Sequence, residues 1–107
     1  MSENMLRIKE AVEEAASLEH KRSYEKHPAF NSAHEGYAVI AEEVDEAMME
    51  MEYVMKNTSQ LWERTKKDAD TMPCVNRIRE FAKNCAAELI QVIAMCDKYA
   101  ASKEQWK

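Results

Sequence analysis

The chain has 107 residues, which is enough for one domain at most. One glycine, two prolines and eight methionines, with abundant alanine, glutamate and lysine, predict an all-α protein without a sheet. The net charge of -5 is divided unevenly, because residues 1–54 carry 13 acids and 5 bases whereas residues 55–107 carry 7 acids and 10 bases; this division argues against nucleic-acid binding, which needs a continuous basic face.

The first predicted helix runs from about Glu3 to Lys26, with Ser2 as its N-cap. Its apolar residues recur at helical spacing, and its last turns are mostly polar. His27 precedes Pro28, and a residue before proline is pushed out of the α region. We therefore expect the helix to end at this pair.

The second predicted helix is long and central. It begins at Asn31 or Ser32, where Ser32 and Glu35 match a capping box, and it runs to about Lys67. Its heptad positions alternate in steps of four and three: Tyr37, Ala41, Val44, Met48, Met51, Met55, Thr58, Trp62 and Thr65. Trp62 is therefore expected in a core. Gly36 costs about 1 kcal/mol relative to alanine inside a helix, which predicts a close helix crossing or a closely bound ligand.

The third predicted helix runs from about Cys74 to Ser102, after a loop at residues 67–73. Apolar residues cover nearly all of its sides, which indicates burial on nearly all sides. Two further helices cannot surround it, so we expect a homo-oligomer that completes a helical bundle of four or more helices. Cys85 and Cys96 lie on its apolar face, and the three cysteines are predicted to be reduced core thiols.

The N-terminus MSENMLRIKE is polar and does not resemble a signal peptide. No run approaches the roughly 18 apolar residues of a membrane span. We therefore expect a single domain over residues 1–107 in the cytoplasm, with neither a membrane nor a nucleic acid as partner.

Carboxylates are concentrated in one sector of the second helix. Glu42, Glu43 and Glu46 are close enough along the helix to repel one another. A solvated acidic face is the ordinary explanation of such a run. However, Val39, Met49 and Tyr53 fall in the same sector, which indicates a second packed surface with a polar centre.

Glu88 and Gln91 are the strongly polar residues of the third helix between Cys85 and Cys96. A carboxylate in such apolar surroundings must be paired or bound to a metal, because burying a bare charge is costly. Two alternatives follow: Glu88 pairs with a Lys or Arg of a neighbouring helix, or it holds a cation together with the acidic sector of the second helix. Several oxygen ligands on rigid helices suit Mg²⁺ or Mn²⁺.

Two segments resemble a known family. The stretch HEGYAVIAEEVDEAMMEME, which begins at His34, is similar to the first motif of small, prophage-type MazG-like proteins of the all-α nucleoside triphosphate pyrophosphohydrolase superfamily. The stretch AAELIQVIAMCDKY, which ends at Tyr99, is similar to their second motif helix. The resemblance implies a Mg²⁺-dependent helical bundle, a homodimer or homotetramer, that cleaves an NTP or dNTP to the monophosphate and pyrophosphate.

The resemblance also implies roles for individual residues. Glu43, Glu46 and Glu88 would hold the metal, with Glu42 as a further ligand or as the base that orients water. Gln91 stands where the family has an aspartate, and it would complete the metal shell or position a metal-bound water.

His34 and Glu35 are the candidate substrate contacts, although either can instead serve the start of the helix. Because a carboxamide is a neutral and weaker ligand for a hard cation, Gln91 also supports an alternative function. In that alternative the chain is a non-catalytic helical interaction protein, for example a phage-encoded binder of host components. A plain coiled-coil assembly domain is the third alternative.

Overall fold

The chain is all-helical in the computed structural model, which describes residues 1–106. Its three helices are α1 (Glu3–Lys26), α2 (Ala33–Lys66) and α3 (Met72–Lys103), and no strand occurs among residues 1–106. The predicted all-α class, with a long central helix, is confirmed. Over these same residues, none of the helices is both long enough and apolar enough to cross a membrane.

The helix starts follow the predicted capping residues. The Ser2 hydroxyl accepts a hydrogen bond from the Met5 amide at 3.1 Å, and the Ser32 hydroxyl accepts one from the Glu35 amide at 3.2 Å. The Glu35 carboxylate accepts from the backbone amide of Asn31 at 3.3 Å. The capping arrangement at α2 therefore spans one residue more than the predicted box.

The turn between α2 and α3 is shorter than predicted. Asp68 has a left-handed backbone (φ 53°) just after the end of α2, a conformation that aspartate tolerates better than most residues. The Asp70 carboxylate accepts a hydrogen bond from the Met72 amide at 3.1 Å, where α3 begins. Pro73 therefore lies in the first helical turn, where its missing N–H leaves no hydrogen bond unmade.

The described chain forms two compact groups. The first comprises Met1–Glu43 together with the residues from Leu89 onward. In it Phe30 is buried against Ala94 and Met95. The Phe30 amide donates to the Ser102 hydroxyl at 2.9 Å, and its carbonyl accepts from the Trp106 indole, also at 2.9 Å. These bonds fasten the segment between α1 and α2 to the end of α3.

The second group, Val44–Glu88, consists of the later part of α2 and the earlier part of α3 running antiparallel. The Tyr53 and Phe81 rings stack with their centroids 4.8 Å apart. Buried Asn57 accepts a hydrogen bond from Arg77 Nε at 2.8 Å and donates to the Tyr53 carbonyl at 2.8 Å. Asn57 is thereby satisfied inside α2, which runs on without interruption.

Two predicted core residues are not buried within this chain. Trp62 and Cys96 are both exposed, whereas Cys74 and Cys85 are buried thiols as predicted. Trp62 is exposed because the heptad face of α2, on which it lies, points to solvent. The α2 face that carries buried Ala47 and Asn57 is the inner one.

Gly36 lies at a close helix crossing, as its position predicts. A Cβ atom placed on Gly36 would overlap the Tyr99 ring, with Cε2 at 2.9 Å, and would lie 3.2 Å from Cδ2 of Phe30. The absence of a side chain is what lets α2 approach α3 here.

We expect Gly36→Ala to destabilise the protein by about 1–2 kcal/mol, because the overlap with Tyr99 outweighs the gain in helix propensity. Urea denaturation measures the change. On a Tyr99→Ala background only the 3.2 Å contact with Phe30 Cδ2 remains, so Gly36→Ala should there cost much less. Equal destabilisation on both backgrounds would show that Tyr99 is not the cause.

Candidate functional site

Helices α2 and α3 approach each other closely where two small residues meet. Ala47 and Cys85 are both buried, and the Cys85 thiol donates to the Ala47 carbonyl at 3.4 Å. Small side chains at a crossing let helix backbones come together. Glu46 directly precedes Ala47, and Glu88 follows Cys85 by three residues on the next turn. The two carboxylates are therefore brought towards each other by packing.

The structure brings together three of the predicted metal ligands. Glu43, one turn before Glu46 on the same helix, joins Glu46 and Glu88, and one carboxylate oxygen from each lies within 4.8 Å of the other two. Glu43 and Glu88 are half-buried, and Glu46 is exposed. Of the apolar residues in the acidic sector, Val39 is half-buried, whereas Met49 and Tyr53 are exposed, so the predicted packed surface is found only in part.

The three carboxylates fit a hard divalent cation. Two oxygens bound to one Mg²⁺ lie about 3 Å apart when adjacent and about 4 Å apart when opposite. The oxygens here are within 4.8 Å of one another, which is slightly more than the longer of these two distances. An all-oxygen donor set suits Mg²⁺, Mn²⁺ and Ca²⁺ alike and does not choose among them.

The remaining predicted site residue of the acidic motif lies outside this group. Glu42 is exposed on the same turn as Glu43, and its role as base or further ligand stays a prediction. Glu50, half-buried one turn beyond Glu46, accepts a hydrogen bond from Asn84 Nδ2 at 3.5 Å. This hydrogen bond links Glu50 to α3, and it lies on the opposite side of the Ala47 contact from Glu46.

Gln91 lies near Glu19 of α1. The Glu19 carboxylate accepts hydrogen bonds from Arg22 Nε at 3.0 Å and Nη2 at 2.7 Å. These hydrogen bonds hold the pKa of Glu19 below its ordinary value against the opposing effect of burial, and the nearby Gln91 amide lowers that pKa by a smaller amount. The role of Gln91 at a metal stays a prediction.

The two predicted substrate contacts are exposed, and each also has a local structural setting. His34 lines an open cavity of about 630 Å³ with aromatic and small apolar residues: Ala33, Tyr37, Ala38, Ala41 and Tyr99. The Glu35 carboxylate is used at the start of α2, where it accepts from the Asn31 amide and from Asn31 Nδ2 at 3.1 Å. Contact of either residue with substrate stays a prediction.

Lys98 is a buried cation to which the sequence analysis assigns no role. Its Nζ donates to the Ser23 hydroxyl at 3.2 Å and lies 4.8 Å from the centre of the Phe30 ring. Burial lowers the pKa of Lys98, while the negative charge of Glu35 acts in the opposite direction. No sequence signal distinguishes Lys98 from the other charged residues of α3.

No protein-family model matches the chain, and neither the curated proteins nor the solved structures contain a match. The resemblance to MazG-like proteins therefore rests on the two motif segments alone.

We expect Glu19 to make the free energy of unfolding depend on pH. A carboxyl whose folded pKa is lowered contributes stability that is complete above its unfolded value, here 4.5, and is lost as the pH falls through the folded pKa. Glu19→Gln should cost about 1 kcal/mol at pH 7 and much less near pH 3. Urea denaturation at both pH values measures this, with exposed Glu14→Gln as the control. A cost for Glu19→Gln that is the same at both pH values would contradict the assignment.

Proposed function

We propose that this chain is a MazG-like, divalent-metal-dependent hydrolase that cleaves an NTP or dNTP to the monophosphate and pyrophosphate. The observation that carries the proposal is the meeting of Glu43, Glu46 and Glu88, whose carboxylate oxygens lie within 4.8 Å of one another. A bound Mg²⁺ or Mn²⁺ would offset the charge of a triphosphate and lower the pKa of a bound water. The two motif segments support the choice of substrate class.

In this proposal the residues of the site have different roles. Glu43, Glu46 and Glu88 hold the cation, and exposed Glu42 is the base or a further ligand. Gln91 lies near Glu19 of α1, and its carbonyl oxygen would accept a hydrogen bond from a metal-bound water. A carbonyl in that role would orient water without adding a negative charge.

The cavity beside His34 is the proposed place for the base of the nucleotide. Tyr37 and Tyr99 offer aromatic surface there, and Ala33, Ala38 and Ala41 leave room between them. Aromatic and small apolar linings are common in cofactor and nucleotide pockets. His34 would stack on the base or donate to it.

The proposed assembly is a homodimer or homotetramer in the cytoplasm. Its support is the exposed apolar heptad face of α2, which one chain leaves uncovered. The three free thiols suit a reducing compartment.

A non-catalytic interaction protein is the second candidate. Gln91 in the place of a family aspartate favours it, because the site then has one formal charge fewer with which to hold a cation. The exposed apolar face of α2 also favours it, since such a face is what a helical partner would cover. The two candidates differ in whether the acidic group binds a metal.

We expect Mg²⁺ or Mn²⁺ to raise the melting temperature of the wild-type protein. Binding to the folded state alone stabilises it by about 1.4 kcal/mol at ten times the Kd, which corresponds to roughly 5 °C for a domain of this size. Glu46→Gln should remove most of the shift. An unchanged melting temperature at millimolar metal would favour the interaction protein.

We expect pyrophosphate release when the protein is incubated with a panel of NTPs and dNTPs in Mg²⁺ or Mn²⁺. Glu46→Gln should lower kcat by about a hundredfold or more, since it removes a charged ligand from the site. The matched control is Glu63→Gln, an exposed position about 25 Å further along α2. If no nucleotide is turned over and Glu46→Gln behaves as wild type, the hydrolase proposal is wrong.

A further inference from the structure

One face of α2 is apolar and exposed along most of its length. In the second compact group its large side chains are Val44, Met48, Met51, Met55 and Trp62. Met55 is 63% exposed and Trp62 is 60% exposed. On the inner side of the helix, Ala47, Val54 and Leu61 are buried or half-buried instead. A continuous exposed apolar stripe of this kind marks an interaction surface.

The spacing of the stripe is that of a coiled-coil seam. Its positions alternate in steps of four and three from Val44 to Thr65, a distance of about 32 Å along the helix. Such a narrow stripe packs against a second helix that carries the same repeat. Methionine side chains are flexible enough to fill the space around a bulky ring such as that of Trp62.

The charges beside the stripe determine how a second copy can align. Residues 44–55 carry four acids and no base, whereas residues 56–67 carry four bases and one acid. In a parallel pair of α2 helices, the acidic half of each helix would lie beside the acidic half of the other. In an antiparallel pair, each acidic half faces a basic half. Complementary charges of this kind favour one orientation of an interface.

We propose that two copies of this chain associate through an antiparallel pairing of their α2 helices, with the two-fold axis level with Lys56 and Asn57. This inference deepens the self-association proposed above and does not depend on hydrolase activity.

In that register the core layers pair Met51 with Trp62 of the partner subunit and Met48 with Thr65 of the partner subunit. At the edge Asp45 meets Lys66 of the partner subunit. Within its own chain Lys66 pairs with Glu63 at 2.9 Å, but both side chains are about half exposed; such surface pairs are weak and are readily exchanged. If the pairing were shifted by one heptad towards the N-terminus, Glu52 would lie opposite Glu52 of the partner subunit. The charges therefore favour the proposed register.

The first test measures self-association by light scattering and analytical ultracentrifugation. We expect wild type to have twice the chain mass of 12.4 kDa. Met55→Lys should weaken the dimer at least about tenfold, because it places a charge in the middle of the seam. The matched control is Met49→Lys, since Met49 is 56% exposed on the same helix but lies outside the stripe. Melting of each variant confirms that it is folded.

Two outcomes of this test would overturn the proposal. A wild-type protein that stays monomeric at high micromolar concentration would remove both this pairing and the self-association on which it rests. Equal weakening by Met49→Lys and Met55→Lys would keep self-association but reject this face of α2.

The second test determines the orientation of the helices. On a Cys96→Ser background, which removes the exposed native thiol, Met48→Cys and Thr65→Cys are made as separate proteins. Mixed and mildly oxidised, they should form a disulfide-linked dimer. Each alone should not, because like positions lie about 25 Å apart in the antiparallel register. Cross-linking of Met48→Cys with itself would show a parallel pair, and a mixed dimer that never cross-links would reject the register.

Discussion

The close approach of α2 to α3 at Ala47 and Cys85 is the contact on which the acidic group depends. Both side chains are small and buried, and the thiol reaches the carbonyl at 3.4 Å. A larger side chain at either position would push the helix axes apart, and Glu46 and Glu88 would then be too distant to share a cation. Repulsion between those carboxylates opposes the same contact. Packing at this crossing therefore draws α2 and α3 together, while repulsion between the carboxylates pushes them apart. A bound cation would reduce the repulsion and so favour the close approach.

Helix α2 carries two repeats whose residues are spaced alternately four and three positions apart. The second repeat is shifted by one residue from the first. The inner repeat carries Ala47 and Asn57 and is used within the chain, whereas the outer repeat carries the methionines and Trp62 and is exposed. The more polar face is thus the one that packs inside the chain. This is physically reasonable because Asn57 is satisfied by Arg77 and by a backbone carbonyl, so that its burial leaves no polar atom unpaired. The more apolar face has no such partner within residues 1–106.

Features that depend on neighbouring residues could be predicted from the sequence. The caps at Ser2 and Ser32 act within one turn. For Glu88 the sequence left two partners open, a basic residue of a neighbouring helix or the acidic sector of α2, and the structure brings it to the acidic sector. The exposure of Trp62 could not be predicted, because the apolarity of a helix face does not by itself say whether that face packs within the chain. The hydrogen bond of Lys98 to Ser23 and the position of Gln91 near Glu19 were also not predicted, since they depend on how α1 is rotated against α3.

In the proposed site, a neutral side chain at position 91 would change the electrostatics in a definite direction. Three carboxylates around one divalent cation carry a combined charge of about -1, and a fourth acid would make it about -2. A triphosphate is itself strongly negative, so each additional acid raises the cost of bringing it near. If the proposed function is right, a glutamine in the place of that fourth acid would lower this cost and would also weaken the hold on the cation.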